Sequence, residues 1–144
     1  MATLELQGLE SLEDAFRRIA DIPWSVTEEA LDDMAAVAAE RIRSTGESMG
    51  VRDPESEEHI LDKITATKAK QTETGGYKDI TFKGTRLRNG TRTRNAEIAF
   101  INEYGKRSQP ARPFIGRAMN ENEDAIQAEA EKVIGDWIET EFQR

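Results

Sequence analysis

The side chains able to do chemistry are few and scattered. His59 is the only histidine, and it stands beside Glu57 and Glu58. A histidine flanked by carboxylates can begin a metal site, but no second strong ligand follows at a useful spacing, so a surface or capping role fits it better. Glu97 and Glu103 lie six positions apart. Paired carboxylates can cleave glycosidic bonds inside a cleft, yet no cluster of aromatic residues accompanies these two. Glu103 is better suited to a backbone cap or a salt bridge, with Arg112 or Arg117 as partner. The absence of cysteine removes disulfides, thiolate metal ligands and cysteine nucleophiles. No glycine run has the spacing of a phosphate-binding loop, and a single histidine without a nucleophile beside it makes no hydrolase triad. No enzymatic activity, metal or cofactor is expected.

The remaining chemistry is cationic. Lys83, Arg86, Arg88, Arg92, Arg94, Lys106 and Arg107 form a basic set able to face phosphates or acidic protein surface. Tyr77 and Phe82 interleave with them, but these two suit a sheet core equally well. Residues 63–117 hold thirteen Lys or Arg against four acids, a local net of +9 within an overall −8, so the flanks together carry −17. Such segregation fits head-to-tail assembly, in which the positive face of one copy meets the negative face of another. It also fits weak, non-specific contact with DNA, or a strand region that simply faces solvent.

The elements that must position these residues can be read along the chain. Leu4, Leu6 and Leu9 suggest a short strand or an extended lead-in. Leu12, Ala15, Phe16, Ile19 and Ala20 recur at helical spacing before Pro23. Ser25 and Glu28 have the form of a capping box, and Leu31, Met34, Ala35, Ala38 and Ile42 predict a helix over 26–45, ended or loosened by Gly46 and Gly50. A surface loop covers 50–58, and His59–Ile64 predicts a short helix. Alternation from Ile64 to Lys70, a Gly-Gly turn in 72–76, the returning strand 77–84 and an Asn89-Gly90 turn predict a small antiparallel sheet. Residues 95–104 suit either strand or helix; Asn95 and Gly105 as caps favour helix. From Pro113 a stripe of Phe114, Ala118, Ile126, Val133, Trp137 and Ile138 predicts a long C-terminal helix, recapped near Asn120–Asn122, with an acidic outer face. The fold class is α+β: a small antiparallel sheet packed by helices, with a helical N-terminal region. The expected domains are an N-terminal extension with a short helix over 1–24 and a single α+β domain over 25–144. With no apolar run near 18 residues and an acidic N-terminus, no membrane span or signal peptide is expected, and synthesis is cytoplasmic.

The segment Ile98–Met119 is the most distinctive. Gly105 permits a left-handed turn, Pro110 and Pro113 restrict the backbone, and Phe114 can plug the core where the elbow meets the sheet. Arg112 sits between rigid residues, so its fork is aimed. The run Phe100-Ile101-Asn102-Glu103-Tyr104-Gly105, followed by Pro110-Ala111-Arg112-Pro113-Phe114 and Ala118, resembles the HK97 gene-product-ten-like (gp10-like) family of tailed-bacteriophage proteins: tail components and head–tail joining or tail completion proteins. The resemblance covers about a seventh of the chain closely and 60–142 more loosely. It implies a small α+β virion protein of the neck or tail, a ring of copies (a hexamer) that joins or completes the tail at the head–tail interface. Its implied neighbours are head-closure or connector, tail terminator and tail tube proteins. Glu103, Tyr104, Gly105, Pro110, Arg112, Pro113 and Phe114 are its candidate assembly residues. In such a ring subunit the loops 44–58 and 105–112 are expected to order on assembly. Two other classes compete: a non-catalytic interaction module or assembly factor, and a non-specific DNA-binding protein.

Overall fold

A computed structural model describes Asp14, Arg17 and residues 20–52, 58–88 and 90–143. The expected lead-in at Leu4–Leu9 and most of the expected helix at Leu12–Ala20 lie outside them. The first long element is helix α1, Trp24–Ser48. It begins upstream of the expected capping box, which does not form: Pro23 occupies the cap position and no side chain bonds there. Pro23 at φ −59° is already set for a helix start, and its carbonyl accepts from the Val26 and Thr27 amides. Gly46 does not end α1. It is buried within the helix because a Cβ there would meet Leu61 Cδ2 at 2.6 Å and Phe114 Cδ2 at 3.1 Å. The chain turns instead at Gly50, where φ is +74°, and Val51 drops into the core, so the expected surface loop is anchored at its start.

A 3-10 turn, Ile60–Lys63, stands where the short helix is expected. The antiparallel part of the molecule consists of three two-stranded pairs rather than one sheet. Strands β1 (Ile64–Ala66) and β4 (Ile80–Phe82) pair, and β2 (Lys70–Thr72) and β3 (Gly75–Tyr77) pair inside them. These are two halves of one long hairpin. The register shifts between them, with Thr67–Ala69 set against Lys78–Asp79, so the first arm holds one extra residue and the ladder is interrupted as at a β-bulge. The expected Gly-Gly turn is displaced: Glu73 and Thr74 turn, while Gly76 lies in β3 against α1, where a Cβ would sit 2.5 Å from the Trp24 ring. Lys78 adds an ion pair to Asp32 of α1 at 2.6 Å.

Strands β5 (Thr85–Arg88) and β6 (Thr91–Arg94) form a second hairpin around Asn89-Gly90, as the Asn-Gly signal predicts. Helix α2 covers Asn95–Tyr104, which resolves the strand-or-helix ambiguity for helix. Helix α3, Phe114–Glu121, and helix α4, Glu123–Phe142, are divided at Asn122, whose side chain donates back to the Ala118 carbonyl at 2.8 Å. The architecture is α+β with a long C-terminal helix, as expected. One core cluster joins Ile42, Leu61, Phe82, Ile98, Phe114 and Ala118 with their neighbours. A second seam runs between α1 and α4, where α4 buries Ile126 and Val133.

Candidate assembly surface

The elbow is built from the end of α2. Gly105 caps that helix at φ +77°, its amide donating to the Ile101 carbonyl at 2.7 Å. A Cβ there would lie 2.8 Å from the Ala111 nitrogen, so Gly105 is required both by its backbone angle and by close chain approach. Lys106 and Gln109 then close a tight turn with reciprocal backbone bonds of 2.9 and 3.0 Å. The Arg112 amide donates to the Asn102 carbonyl at 2.6 Å, and Gln109 Nε2 donates to Asn102 Oδ1 at 3.2 Å. The 105–112 loop is thus held by the subunit itself, which differs from its expected ordering on assembly. Residues 44–48 belong to α1.

Glu103 crosses from α2 to the start of α3. Its carboxylate accepts from the Ile115 amide at 2.8 Å and the Gly116 amide at 2.9 Å. Of the roles open to it, this is the backbone cap: a negative group at a helix N-terminus, where amides are unpaired and the dipole is favourable. The two candidate arginines go elsewhere. Arg117 pairs with Glu121 at 3.1 Å, and Arg112 Nη1 donates to the Gly50 carbonyl at 2.9 Å. Pro113 stands at the cap position of α3 rather than inside its first turn. Phe114 is fully buried and meets Phe82 edge-on, ring centres 6.0 Å apart. Pro110 is exposed.

Tyr104, on the opposite side of α2, is 70% exposed and stacks on Phe100, itself 61% exposed, at 4.7 Å between ring centres. Two polar residues of α2 are buried, and Asn95 is not the expected N-cap: Arg94 holds that position, with no side-chain cap bond. Asn95 donates to the Lys83 carbonyl at 2.9 Å, and Asn102 donates to Ile98 while receiving the loop. Both lie on the apolar stripe with Ile98 and Ala99, and polar residues on such a stripe were the available signal.

The basic set is divided by strand alternation. Cross-strand pairing puts Leu87, Arg92 and Arg94 on one face of the second hairpin, and Arg86 on the other. Arg86 donates to the Glu58 carbonyl at 2.6 Å, and Arg92 to Thr85 Oγ1 at 2.8 Å. Arg88 lies in β5, its side chain outside the described part. Lys83, Arg94, Lys106 and Arg107 are exposed and form no ion pair with a described residue. An open cleft of about 660 Å³ lies between Arg52, His59, Arg86, Lys106 and Arg112, with no carboxylate among its described lining residues. Arg52 is engaged there: it holds Glu47 and Asp62 at 3.0 Å each, and its hydrogen bonds keep the Asp62 carboxyl below its ordinary range. His59 stands at the cap position of the 3-10 turn through its carbonyl, which accepts from the Asp62 amide at 3.1 Å, and its side chain forms no cap bond; no metal-binding group of three or more His, Cys, Asp or Glu occurs among the described residues. No described helix is long and apolar enough to cross a membrane.

The acidic counterpart is α4. Glu123, Asp124, Glu131, Asp136 and Glu139 are exposed, and none pairs with a described cation. Gly135, in the middle of that helix, has open space where a Cβ would stand. No protein-family model, curated protein or solved structure matches the chain.

Proposed function

We propose that this chain is a non-catalytic structural subunit of a tailed-phage virion, of the neck or tail completion class, acting as a ring of copies at the head–tail interface. The observation that carries this reading is the elbow. Glu103, Gly105, Arg112 and Phe114, at positions that resemble the tail-component pattern, are joined by hydrogen bonds and burial into one fixed unit. Tyr104, Lys106 and Arg107 are held outward on its rim. A motif whose inner residues set geometry and whose rim is cationic and exposed suits a surface presented to a neighbour. The separation of the basic middle from acidic α4 supports a contact between unlike faces, which closes into a ring when its rotation allows. Head-closure or connector, terminator and tube proteins are the neighbours of such a ring, and the virion is its location.

Deleting the gene from the phage that encodes the chain tests the reading. Filled heads and finished tails should accumulate unjoined, and supplying the chain in trans should restore whole particles. Normal joined particles without it would end the proposal. The arginines on both faces of the second hairpin support a second reading, contact with DNA passing through the ring. Duplex affinity falling steeply with salt is its signature, and negligible affinity at low salt removes it.

A further inference from the structure

We infer that the outward face of α2 docks onto the outward face of α4 of a second copy, with the Phe100–Tyr104 pair seated over Gly135. The inference rests on the ring reading and specifies its contact. Three observations meet in it. The first is an exposed aromatic pair on a short helix, with Arg94 before it and Lys106 after it, neither in an ion pair with a described residue, and with Glu97 as the one exposed carboxylate on the same side. The second is the predominantly acidic face of α4, whose one exposed cation is Lys132 and whose exposed carboxylates likewise form no ion pairs with described residues. The third is Gly135. Glycine weakens the middle of a helix, and nothing in the subunit occupies the space beside it. The gap is explained if another body approaches there.

The dimensions agree. Glu131 and Glu139 lie one turn before and one turn after Gly135 on the same side of α4, roughly 12 Å apart along the axis. The cations bracketing the aromatic pair are separated by a helix of roughly 15 Å. Arg94 and Lys106 can therefore meet Glu131 and Glu139 while the rings cover the glycine. The two faces cannot satisfy each other within one subunit. Helix α4 packs along α1, whereas α2 packs against the 3-10 turn, α3, β4 and β6. Each copy then offers one face and receives the other, as a heterologous contact requires.

Sedimentation of the full chain up to millimolar concentration, at low and high salt, tests the contact. Wild type should self-associate, more weakly at high salt. Gly135→Gln should raise the melting temperature of the subunit, since it adds a better helix former in open space, and yet weaken association by roughly tenfold or more, as loss of a central anchor site does. The pairs Arg94→Glu/Lys106→Glu and Glu131→Lys/Glu139→Lys should each abolish association alone and restore it when mixed. A wild type that stays monomeric throughout overturns the inference, as does association that survives Gly135→Gln and both reversals. If both variants still form rings, the contact is wrong while the ring reading stands; failure of the ring reading shows separately, as joined particles in the gene deletion. If Arg94→Glu/Lys106→Glu removes duplex DNA binding and leaves self-association intact, the patch belongs to nucleic acid and the inference falls.

Discussion

Phe114→Ala separates the inner side of the elbow from its rim. Phe114 is fully buried, with Phe82 edge-on and Gly46 of α1 beneath it. A buried phenylalanine removes about 150–250 Å² from water, on the order of 5 kcal/mol at 25 cal/mol/Å². Alanine recovers a small part of that, and the lost ring pair and residual cavity act against recovery, so the expected loss is about 3–5 kcal/mol. With a urea slope of about 2 kcal/mol/M, the unfolding midpoint should fall by about 1.5–2.5 M at unchanged slope. Tyr104→Ala is the control from the same motif. At 70% exposure it should change stability by no more than about 0.5 kcal/mol. Equilibrium urea unfolding followed by tryptophan fluorescence measures both. A loss under about 1 kcal/mol for Phe114→Ala, or an equal loss for both variants, would refute the division of the motif into an internal anchor and an external face.

Glu103→Ala should cost about 1–2 kcal/mol by leaving two amides of α3 without their acceptor, and Glu103→Gln should cost less; thermal unfolding compares them, and equal melting temperatures for all three proteins would discount the cap. Gly105→Ala should cost more than about 1 kcal/mol, from a left-handed backbone angle and a close contact with Ala111; denaturant unfolding measures it, and a neutral result would mean that the turn relaxes freely. Asp62 titrates low because Arg52 binds its ionised form. A depressed carboxylate adds stability above its unfolded pKa and loses it as pH falls through the folded value. Arg52→Gln should therefore move the Asp62 titration up toward the ordinary value in NMR, and should destabilise at neutral pH but not in strong acid.

Much of this architecture could be read from residue pattern, and the failures have physical causes. The helix at 95–104 was legible from its C-cap, Gly105, and the break near Asn122 from the asparagines there, whereas Asn95, expected as the N-cap, lies inside the helix with its side chain on the Lys83 carbonyl. The Asn89-Gly90 hairpin was legible because few other sequences tolerate its turn. The capping box at Ser25 misled because a proline two residues earlier starts the helix by geometry alone. Gly46 and Gly76 resembled punctuation, but each makes room for a side chain from a distant element, Leu61 in one case and Trp24 in the other. No local rule contains that information. At the elbow, Phe114 and Gly105 were legible from their types, and Glu103 was expected as a cap or a salt bridge. Its role as a cap for a helix twelve residues onward, and the division of the arginines between two faces, depended on tertiary placement and strand register.

The break at Asn122 gives the two C-terminal helices different dependencies. Helix α3 is fastened through Phe114 and Ala118 to the main cluster, so its amides should exchange only when the whole domain unfolds. Helix α4 packs on α1 outside that cluster, with Ile126 and Val133 as its buried aliphatic side chains, which is little burial for a helix of its length. It should open as a cooperative segment of its own while the cluster stays closed. Native-state hydrogen exchange would then show two protection levels that change at Asn122. A neighbour seated on α4 would raise the lower level alone, turning the exchange rate of one helix into a gauge of whether the subunit has been captured.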